Sequence, residues 1–326
     1  MTFIFRADAS VIDGVGHVVR CAAVAEALQD LGFESVLVGE INGIPWLDES
    51  LSSGPFVRIE SVDQANQPHH EDILIIDSYK LAPDSEFLNQ KKWKLVVAFV
   101  DRSTPKYHAD LYFNLSAYPD WVASKADEKS EILGGLGYMP VRKIHQRISK
   151  SLDNDGGLSI SVTGGGSDPR NFVQEIGKIL SNIGGNFTAK LFTSEPIPLD
   201  ERLSRVDIGP ELSKALDESH LVFTAAGSTV WEILSRRVPM GIACAVLNQQ
   251  ENYEFLDKSN LARGIGSYED GLGWNLDKKK IMDLIKKSEI RENLVLKMSK
   301  ANIAGGALNI ARKIVEKVTA SPSRDR

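Results

Sequence analysis

Short apolar runs alternate with amphipathic stretches through the first half of the chain. The apolar runs are rich in β-branched and aromatic residues and predict strands at Phe3–Arg6, Ser35–Val38, Ile73–Asp77 and Leu95–Val100. The clearest amphipathic stretch is Val18–Leu31, which predicts a helix. Strands that alternate with helices form βαβ units, so we predict a doubly wound α/β domain with a parallel sheet.

The second half of the chain repeats this alternation. We predict strands at Leu158–Val162, near Leu191, at Leu221–Thr224 and at Met240–Ala243, and helices at Asn171–Asn182, Thr229–Arg236, Lys278–Lys287 and Ala307–Val318.

A polar segment rich in Asp, Asn and Gly lies between the halves and predicts a linker over residues 148–157. We therefore expect an N-terminal Rossmann-like domain over residues 1–147 and a C-terminal one over 158–305. A C-terminal helix with a disordered tail is expected over 306–326.

Composition narrows the class of protein. The formal net charge is −6 and no long block of Lys or Arg occurs, which argues against a nucleic-acid partner. Cys21 and Cys244 stand far apart without a C-x-x-C spacing, so neither a disulfide framework nor a zinc site is expected. We find no signal peptide and no apolar run of the roughly 18 residues that span a bilayer, and we expect a cytoplasmic protein.

The first strand-to-helix junction carries the strongest candidate chemistry. An apolar strand runs into a loop with Gly14 and Gly16, and His17 follows at the start of the predicted helix. A helix N-terminus favours the neutral form of an imidazole, which makes His17 a candidate general base. A simple helix-capping role is the alternative. Val19 occupies the third glycine position of a dinucleotide fingerprint, so a nicotinamide cofactor is not expected.

A second glycine loop follows the first strand of the second half. Gly164, Gly165 and Gly166 would let a diphosphate approach the backbone, and Ser167 and Asp168 are expected to cap the next helix. The loop lacks the Lys and Ser/Thr of a P-loop, so magnesium-dependent ATP hydrolysis is not indicated. An ordinary turn with a good N-cap is the alternative interpretation.

A third junction completes a candidate nucleotide site. Glu232 would lie one turn into a helix, where its carboxylate could accept hydrogen bonds from a ribose diol. Its alternative role is that of a charge partner of the helix dipole. The other candidates here are the end of the preceding strand, the start of the helix and two amides after the next strand: Gly227, Ser228, Thr229, Asn248 and Gln249.

Three further residues end apolar runs and are expected at the same sheet edge as His17. They are Asp77, Tyr79 and Asp101. His69 and His70 lie in a polar stretch without other ligands at metal spacing, so we expect them to be solvated and predict no metal site.

In their order along the chain, these motifs resemble those of the UDP-sugar hydrolases of the pseudaminic acid pathway. The matching motifs are RADAS, GxGHVxRC, DxY, GxxYxxxR, GGSDP and AAGSTxWE followed by NQ. That family cleaves UDP from a 2,4-diacetamido-2,4,6-trideoxy sugar and is similar to spore-coat polysaccharide proteins and to GT-B glycosyltransferases. The resemblance implies a GT-B-like α/β fold of two Rossmann-like domains with an interdomain cleft that holds the UDP-sugar.

The resemblance also implies roles for individual residues. His17 would be the catalytic base, with Gly14 and Gly16 in the loop around it. The glycines of the GGSDP motif, together with Ser228, Thr229 and Glu232, would hold UDP, and no cofactor is expected. Further residues that the motifs place near the substrate are Arg6, Asp8, Tyr79, Tyr138 and Arg142.

The sequence departs from the family pattern at two places. Asp101 stands between Val100 and Arg102, where the family commonly has two adjacent aspartates, and the first loop reads VIDGVGHVVRC. The first departure lies in the expected sugar-binding domain, so the identity of the sugar is left more open than that of the nucleotide, and an altered sugar substrate is one alternative. A GT-B glycosyltransferase and a nucleotide-sugar-binding protein without turnover are the alternatives, and the oligomeric state is left open.

Overall fold

The computed structural model describes residues 1–10, 14–62, 69–116, 126, 130–146, 148, 157–166, 168, 170–301, 303 and 305–320. The chain forms two compact units. Unit 1 contains Met1–Lys143 and Ile303–Arg326, and unit 2 contains Ile144–Asn302. None of the helices within the described residues is long and apolar enough to cross a membrane.

Unit 1 is built on a parallel sheet. Its strands are β1 (Phe3–Ala7), β2 (Ala9–Ser10), β3 (Ser35–Val38), β4 (Ile41–Asn42), β5 (Phe56–Glu60), β6 (Ile73–Asp77), β7 (Leu95–Val100), β8 (Leu111–Asn114) and β9 (Glu131–Gly134). The described residues give the main sheet seven strands in the order β5-β3-β1-β6-β7-β8-β9, and β2 pairs with β4 beside it. Each of these strand pairs is parallel, so the strands are joined by crossover connections and not by hairpins.

Helices cover the faces of this sheet. Helix α1 (Gly16–Asp30) and helix α2 (Pro45–Ser52) follow β2 and β4, and short 3₁₀ turns cover Glu86–Leu88, Gln90–Lys92 and Leu136–Tyr138. Helix α1 is rich in Ala and small apolar residues, and it is buried on most of its circumference in the same core as Phe3 and Phe5.

The last helix of the chain completes the core of unit 1. Buried Ile310 and Ile314 pack in the same cluster as α1 and β1. A methyl group on Gly306 would lie 2.1 Å from the Met139 carbonyl oxygen, so only glycine allows the close approach there. The amide of Asn309 donates to the carbonyl of Gly137 at 2.9 Å.

Unit 2 repeats the strand order of unit 1, except that its last strand runs antiparallel. Its strands are β10 (Leu158–Thr163), β11 (Phe187–Phe192), β12 (Leu203–Val206), β13 (Leu221–Ala225), β14 (Met240–Cys244), β15 (Arg263–Glu269) and β16 (Gly273–Leu276). The sheet order is β12-β11-β10-β13-β14-β15-β16, and within the described residues β15 and β16 form its antiparallel pair.

The remaining helices are, in chain order, α3 (Phe172–Ser181), α4 (Glu211–Asp217), α5 (Thr229–Arg236), α6 (Gln250–Lys258), α7 (Lys278–Lys286), α8 (Ser288–Met298) and α9 (Gly306–Ala320), with 3₁₀ turns at Lys143–His145 and Leu247–Gln249. Helices α3 to α8 belong to unit 2, whereas α9 is the last helix described above and belongs to unit 1.

The predicted α/β class with parallel sheets is confirmed. Each element with predicted bounds agrees with an observed one to within about two residues at either end. The sequence analysis missed β9 and β15, among others, because β9 has four residues and glycines interrupt β15. It also missed α8, whose apolar residues do not form a clear stripe.

Candidate active site

The turn from strand to helix in unit 1 places His17 at the carboxyl edge of the sheet. Gly14 adopts a left-handed conformation with φ of +82°, and its amide donates to the Ser10 carbonyl at 2.8 Å. Helix α1 then begins at Gly16, so His17 is its second residue. The first amides of a helix lack intrahelical acceptors, which makes this helix start a site of positive potential.

His17 is hydrogen-bonded to a buried carboxylate. Its Nδ1 lies 2.6 Å from Oδ1 of Asp77, the last residue of β6, which is 1% exposed. Nη2 of Arg20 also lies 3.0 Å from Nδ1, but it donates at the shorter distance of 2.7 Å to Asp77 Oδ1. Because an ionised carboxylate can only accept, and its 2.6 Å contact is the shortest that Nδ1 makes, we assign the hydrogen to Nδ1. Nε2 of the neutral ring is then the nitrogen with the lone pair, as a general base requires.

Arg20, one helical turn after His17, holds the other side of Asp77. Its Nε donates to Oδ2 at 2.5 Å and its Nη2 donates to Oδ1 at 2.7 Å. Burial alone would raise the pKa of the Asp77 carboxyl, but Arg20 and His17 hold it below its ordinary value. Burial would likewise lower the pKa of Arg20, and Asp77 raises it well above its ordinary value. The two groups therefore form a buried ion pair.

Tyr79 packs beside the imidazole and is fixed by a second carboxylate. The ring centroids of His17 and Tyr79 are 4.3 Å apart in an edge-to-face arrangement. The Tyr79 hydroxyl donates to Asp101, which follows β7 and also accepts from the Thr104 hydroxyl at 3.2 Å. Burial, together with Asp101, raises the pKa of the Tyr79 phenol, so Tyr79 is a neutral donor.

Arg6 and Asp8 form an ion pair one strand away. Arg6 Nη1 donates to Asp8 Oδ1 at 2.6 Å, and the same oxygen accepts from the Glu40 amide at 2.9 Å. Ala7 is paired with Asp77 in the sheet, which places this ion pair beside the histidine network. In the described residues, Asp8 ties the end of β1 to the residues after β3.

Tyr138 and Arg142 lie elsewhere in unit 1. The Tyr138 ring packs 5.7 Å from the ring of Phe113. Arg142 Nε donates to Glu26 Oε1 at 2.8 Å. Glu26 is nine residues beyond His17 in α1, which corresponds to about 13 Å along the helix axis. The structure does not bring Arg142 to the histidine network, and its substrate contact stays a prediction.

The glycine loop of unit 2 follows β10. Gly165 has φ of +100°, and its amide donates to the Thr163 hydroxyl at 3.1 Å. A methyl group on Gly164 would lie 2.7 Å from the side chain of Asp168, while Gly166 is half-buried beside them. The loop thus needs glycine both for its backbone conformation and for close packing.

Asp168 accepts from the first amides of helix α3, as expected of a capping residue, but the helix begins at Phe172, with Asn171 at the N-cap position, later than predicted. Its two carboxylate oxygens accept from the amides of Phe172 and Val173, each at 2.9 Å. Burial raises the pKa of Asp168, and these two amides lower it in part. The predicted partner cap, Ser167, lies outside the described residues.

Helix α5 starts next to this glycine loop. A methyl group on Gly165 would lie 3.5 Å from the hydroxyl oxygen of Thr229, the first residue of α5, and Ser228 precedes it as N-cap. A methyl group on Gly227 would likewise lie 3.5 Å from Nε2 of Gln249. The loop glycines are therefore neighbours of the start of α5 and of the Gln249 side chain.

The candidate side chains of Gln249, Asn248 and Glu232 differ in their contacts and in their exposure. The side-chain oxygen of Gln249 accepts from the Ala245 amide at 3.0 Å, whereas Asn248 is exposed. Glu232 lies in the first turn of α5, and its Oε1 is 3.6 Å from Nε2 of His145. Within the described residues, no cluster of three or more His, Cys, Asp or Glu side chains could hold a metal ion, and His69 and His70 are exposed.

The sequence has two curated relatives with matching activities in their names. It is 25% identical over 275 residues to the UDP-2,4-diacetamido-2,4,6-trideoxy-beta-L-altropyranose hydrolase of Campylobacter jejuni, a match that covers 79% of this chain and 97% of that protein. It is also 25% identical over 261 residues to a Helicobacter pylori protein, named pseudaminic acid cytidylyltransferase and UDP-2,4-diacetamido-2,4,6-trideoxy-beta-L-altropyranose hydrolase. This second match covers 76% of this chain and 46% of that protein. The predicted resemblance is confirmed. No protein-family model matches the chain.

Solved structures agree on the fold. A Listeria monocytogenes protein described as a UDP-N-acetylglucosamine 2-epimerase has a TM-score of 0.65 at 12% identity, covering 99% of this chain and 98% of its own. MurG of Acinetobacter baumannii has a TM-score of 0.59 at 14% identity, covering 97% and 100%. At such identities the likeness shows the fold, and the predicted GT-B-like class is confirmed.

Two residues that complete these sites were missed by the sequence analysis. Arg20 is three residues after His17, and this spacing places two side chains on one face of a helix, which is a usable signal. His145 is a lone histidine in a polar stretch, and no local pattern indicates that it reaches Glu232.

Proposed function

We propose that the protein is a hydrolase that releases UDP from a UDP-linked amino or deoxy sugar, with His17 as the general base. The contact between His17 Nδ1 and the buried Asp77 carboxylate carries this proposal, because it leaves Nε2 to take a proton. The names of the two relatives support UDP-sugar hydrolysis as the reaction class.

In the proposed reaction, the base acts on water. His17 Nε2 takes a proton from water while the water oxygen forms a bond to the anomeric carbon of the sugar. The bond between that carbon and the oxygen of the β-phosphate breaks, and its electron pair leaves with UDP. The imidazolium formed is stabilised by Asp77, and direct displacement inverts the anomeric configuration.

We assign the leaving nucleotide to unit 2. UDP gains negative charge on its β-phosphate, and backbone amides at a glycine loop and a helix start are suited to stabilise such charge without reorganisation. The proximity of Gly165 to Thr229 at the start of α5 supports this assignment. Glu232 would accept hydrogen bonds from the ribose hydroxyls, and Gln249 would contact the phosphates.

We further propose that hydrolysis needs no metal ion, because amide donors would meet the developing charge. Adding EDTA should leave the rate of UDP release unchanged. Loss of activity that Mn²⁺ or Mg²⁺ restores would contradict this part of the proposal and leave the nucleotide assignment in place.

The decisive experiment locates the cleaved bond. The protein is incubated with UDP-linked amino sugars, including the 2,4-diacetamido-trideoxy type, in ¹⁸O-labelled water, and the products are examined by mass spectrometry. Attack at carbon puts ¹⁸O into the free sugar, which is the expected result. Label found only in phosphate, with UMP and a sugar phosphate as products, would contradict attack at carbon.

The same experiment separates the two alternative functions. A GT-B fold is also used by glycosyltransferases, so UDP release that begins only when an alcohol acceptor is added would favour a transferase. Tight UDP-sugar binding with no release under either condition would favour a binding protein.

A further inference from the structure

A fully buried arginine lies at the end of helix α5 in unit 2. Arg236 is 0% exposed, and its Nε donates to Asp217 Oδ1 at 3.0 Å. Its Nη2 donates to the Ser213 hydroxyl at 2.9 Å and to the Ile144 carbonyl at 3.1 Å. A buried guanidinium is stable only when its donors are satisfied, so these contacts fix its orientation.

The fixed guanidinium determines which nitrogen of His145 carries the hydrogen. Nη1 of Arg236 is in hydrogen-bond contact with Nδ1 of His145. A guanidinium has donors and no acceptor, so Nδ1 must be the acceptor and the neutral ring carries its hydrogen on Nε2.

This N–H lies near the carboxylate that the nucleotide site uses. His145 Nε2 is 3.6 Å from Oε1 of Glu232, and the two side chains are 11% and 14% exposed. The separation is longer than a direct hydrogen bond, but contacts of this kind often tighten when a ligand binds. Glu232 is one turn before Arg236 in α5, so one rigid helix carries both ends of the arrangement.

We propose that His145 is a positioning residue that holds Glu232 in the orientation that binds both hydroxyls of the ribose. This inference rests on the proposed function, because it takes UDP as the ligand. Without the imidazole N–H, the Glu232 carboxylate can turn towards the amides at the start of its own helix, the usual role of a first-turn glutamate. When the imidazole N–H is present, the Glu232 carboxylate stays available to the ribose diol. His145 would thereby set the preference for ribose over deoxyribose.

The test compares UDP with 2′-deoxy-UDP by titration calorimetry. In H145N the shorter amide can still accept from Arg236 but does not extend to Glu232. In H145Q the longer amide can place an N–H near the position of Nε2. The wild-type protein should bind UDP about tenfold more tightly than 2′-deoxy-UDP, the worth of one hydrogen bond to a charged group. H145N should bring this affinity ratio close to one, mainly by weakening the binding of UDP. H145Q should restore most of the wild-type ratio.

His220 supplies the matched control. It is a half-buried histidine of the same unit whose Nδ1 accepts from the Ser159 amide at the opposite end of the sheet. H220N should leave the nucleotide ratio at the wild-type value. A purely structural role of His145 would weaken the binding of both nucleotides equally in H145N and would leave their affinity ratio at the wild-type value.

Each other outcome overturns the inference. An unchanged ratio in H145N, or equal binding of the two nucleotides by the wild-type protein, removes the positioning role while UDP binding stands. Failure of the wild-type protein to bind UDP at all overturns the proposed function, and the role of His145 with it.

Discussion

The two sheets share a strand order, but their carboxyl edges carry different chemistry. In unit 1 the edge carries ionisable side chains that hold one another, with His17, Asp77 and Arg20 in direct contact. In unit 2 the edge carries glycines and helix starts, with the half-buried Glu232 as its carboxylate candidate. The shared fold places a site at this edge, and the loop residues decide what the site can do.

The difference follows from the two tasks that we propose. A general base has to change its charge during the reaction, so its partners must fix its tautomer and stabilise its protonated form. A diphosphate keeps its charge, so fixed backbone dipoles suffice and no buried counter-ion is needed. Substitutions at the candidate site of unit 1 should therefore alter the turnover rate, whereas substitutions at the candidate site of unit 2 should alter the affinity for UDP.

The largest expected effect comes from His17→Asn. Asparagine can keep a hydrogen bond to Asp77 but supplies no base, so kcat should fall by about 10² to 10⁴-fold. The Kd for UDP should stay at the wild-type value. A UDP-release assay and calorimetry check the two halves of this prediction. Wild-type turnover would remove His17 as the base, and a parallel loss of UDP affinity would break the division between the units.

Asp77→Asn should reduce the stability of unit 1. It leaves Arg20 without its buried partner, which costs about 3 kcal/mol in the free energy of unfolding. The measurement is amide hydrogen exchange in β6 by mass spectrometry. Asp30→Asn is the control, because the ion pair of Asp30 with Lys143 is half-exposed and worth about 1 kcal/mol or less.

The effect of Asp77→Asn should depend on pH. The pKa of Asp77 is lower in the folded protein than in the unfolded chain, where it is about 4. Its contribution is therefore present above that value and is lost as the pH falls through the folded pKa. The difference between wild type and variant should narrow below about pH 4. A difference that stays constant with pH would contradict the ion-pair assignment.

The smallest expected effect is that of Glu232→Ala on UDP binding. Loss of a charged acceptor should weaken binding by about 1.5 to 3 kcal/mol, with kcat at saturating substrate close to wild type. Glu218→Ala is the control, since Glu218 pairs with Lys190 at the surface of the same unit. Unchanged affinity with reduced stability would mean that Glu232 only balances the dipole of α5.

The local pattern of hydrophobic and polar residues predicted those strands and helices well that have a clear periodicity of their own. Strands β6 and β7 are continuous apolar runs, and α5 begins at Thr229 as predicted. Short or glycine-interrupted strands gain their stability from neighbours in the sheet, so β9 and β15 have little pattern of their own.

The sites were predictable only in part. Asp77 and Asp101 end strands, so the sequence places them at the edge with His17, but it does not show that Asp77 binds Nδ1 or that Asp101 holds Tyr79. Those contacts join residues far apart in the chain. The contact of Arg142 with Glu26 also joins residues far apart in the chain, and the substrate contact that the motif predicts for Arg142 stays a prediction.

The position of α9 also bears on the order in which the molecule can fold during synthesis. Unit 2 is one continuous stretch and can fold when it has left the ribosome, whereas unit 1 waits for α9, which is made later. Until then, the surface that Ile310 and Ile314 cover is open, and nascent unit 1 exposes apolar groups that a chaperone would recognise. A released chain that ends before residue 303 should therefore have a protease-sensitive unit 1 and a protease-resistant unit 2.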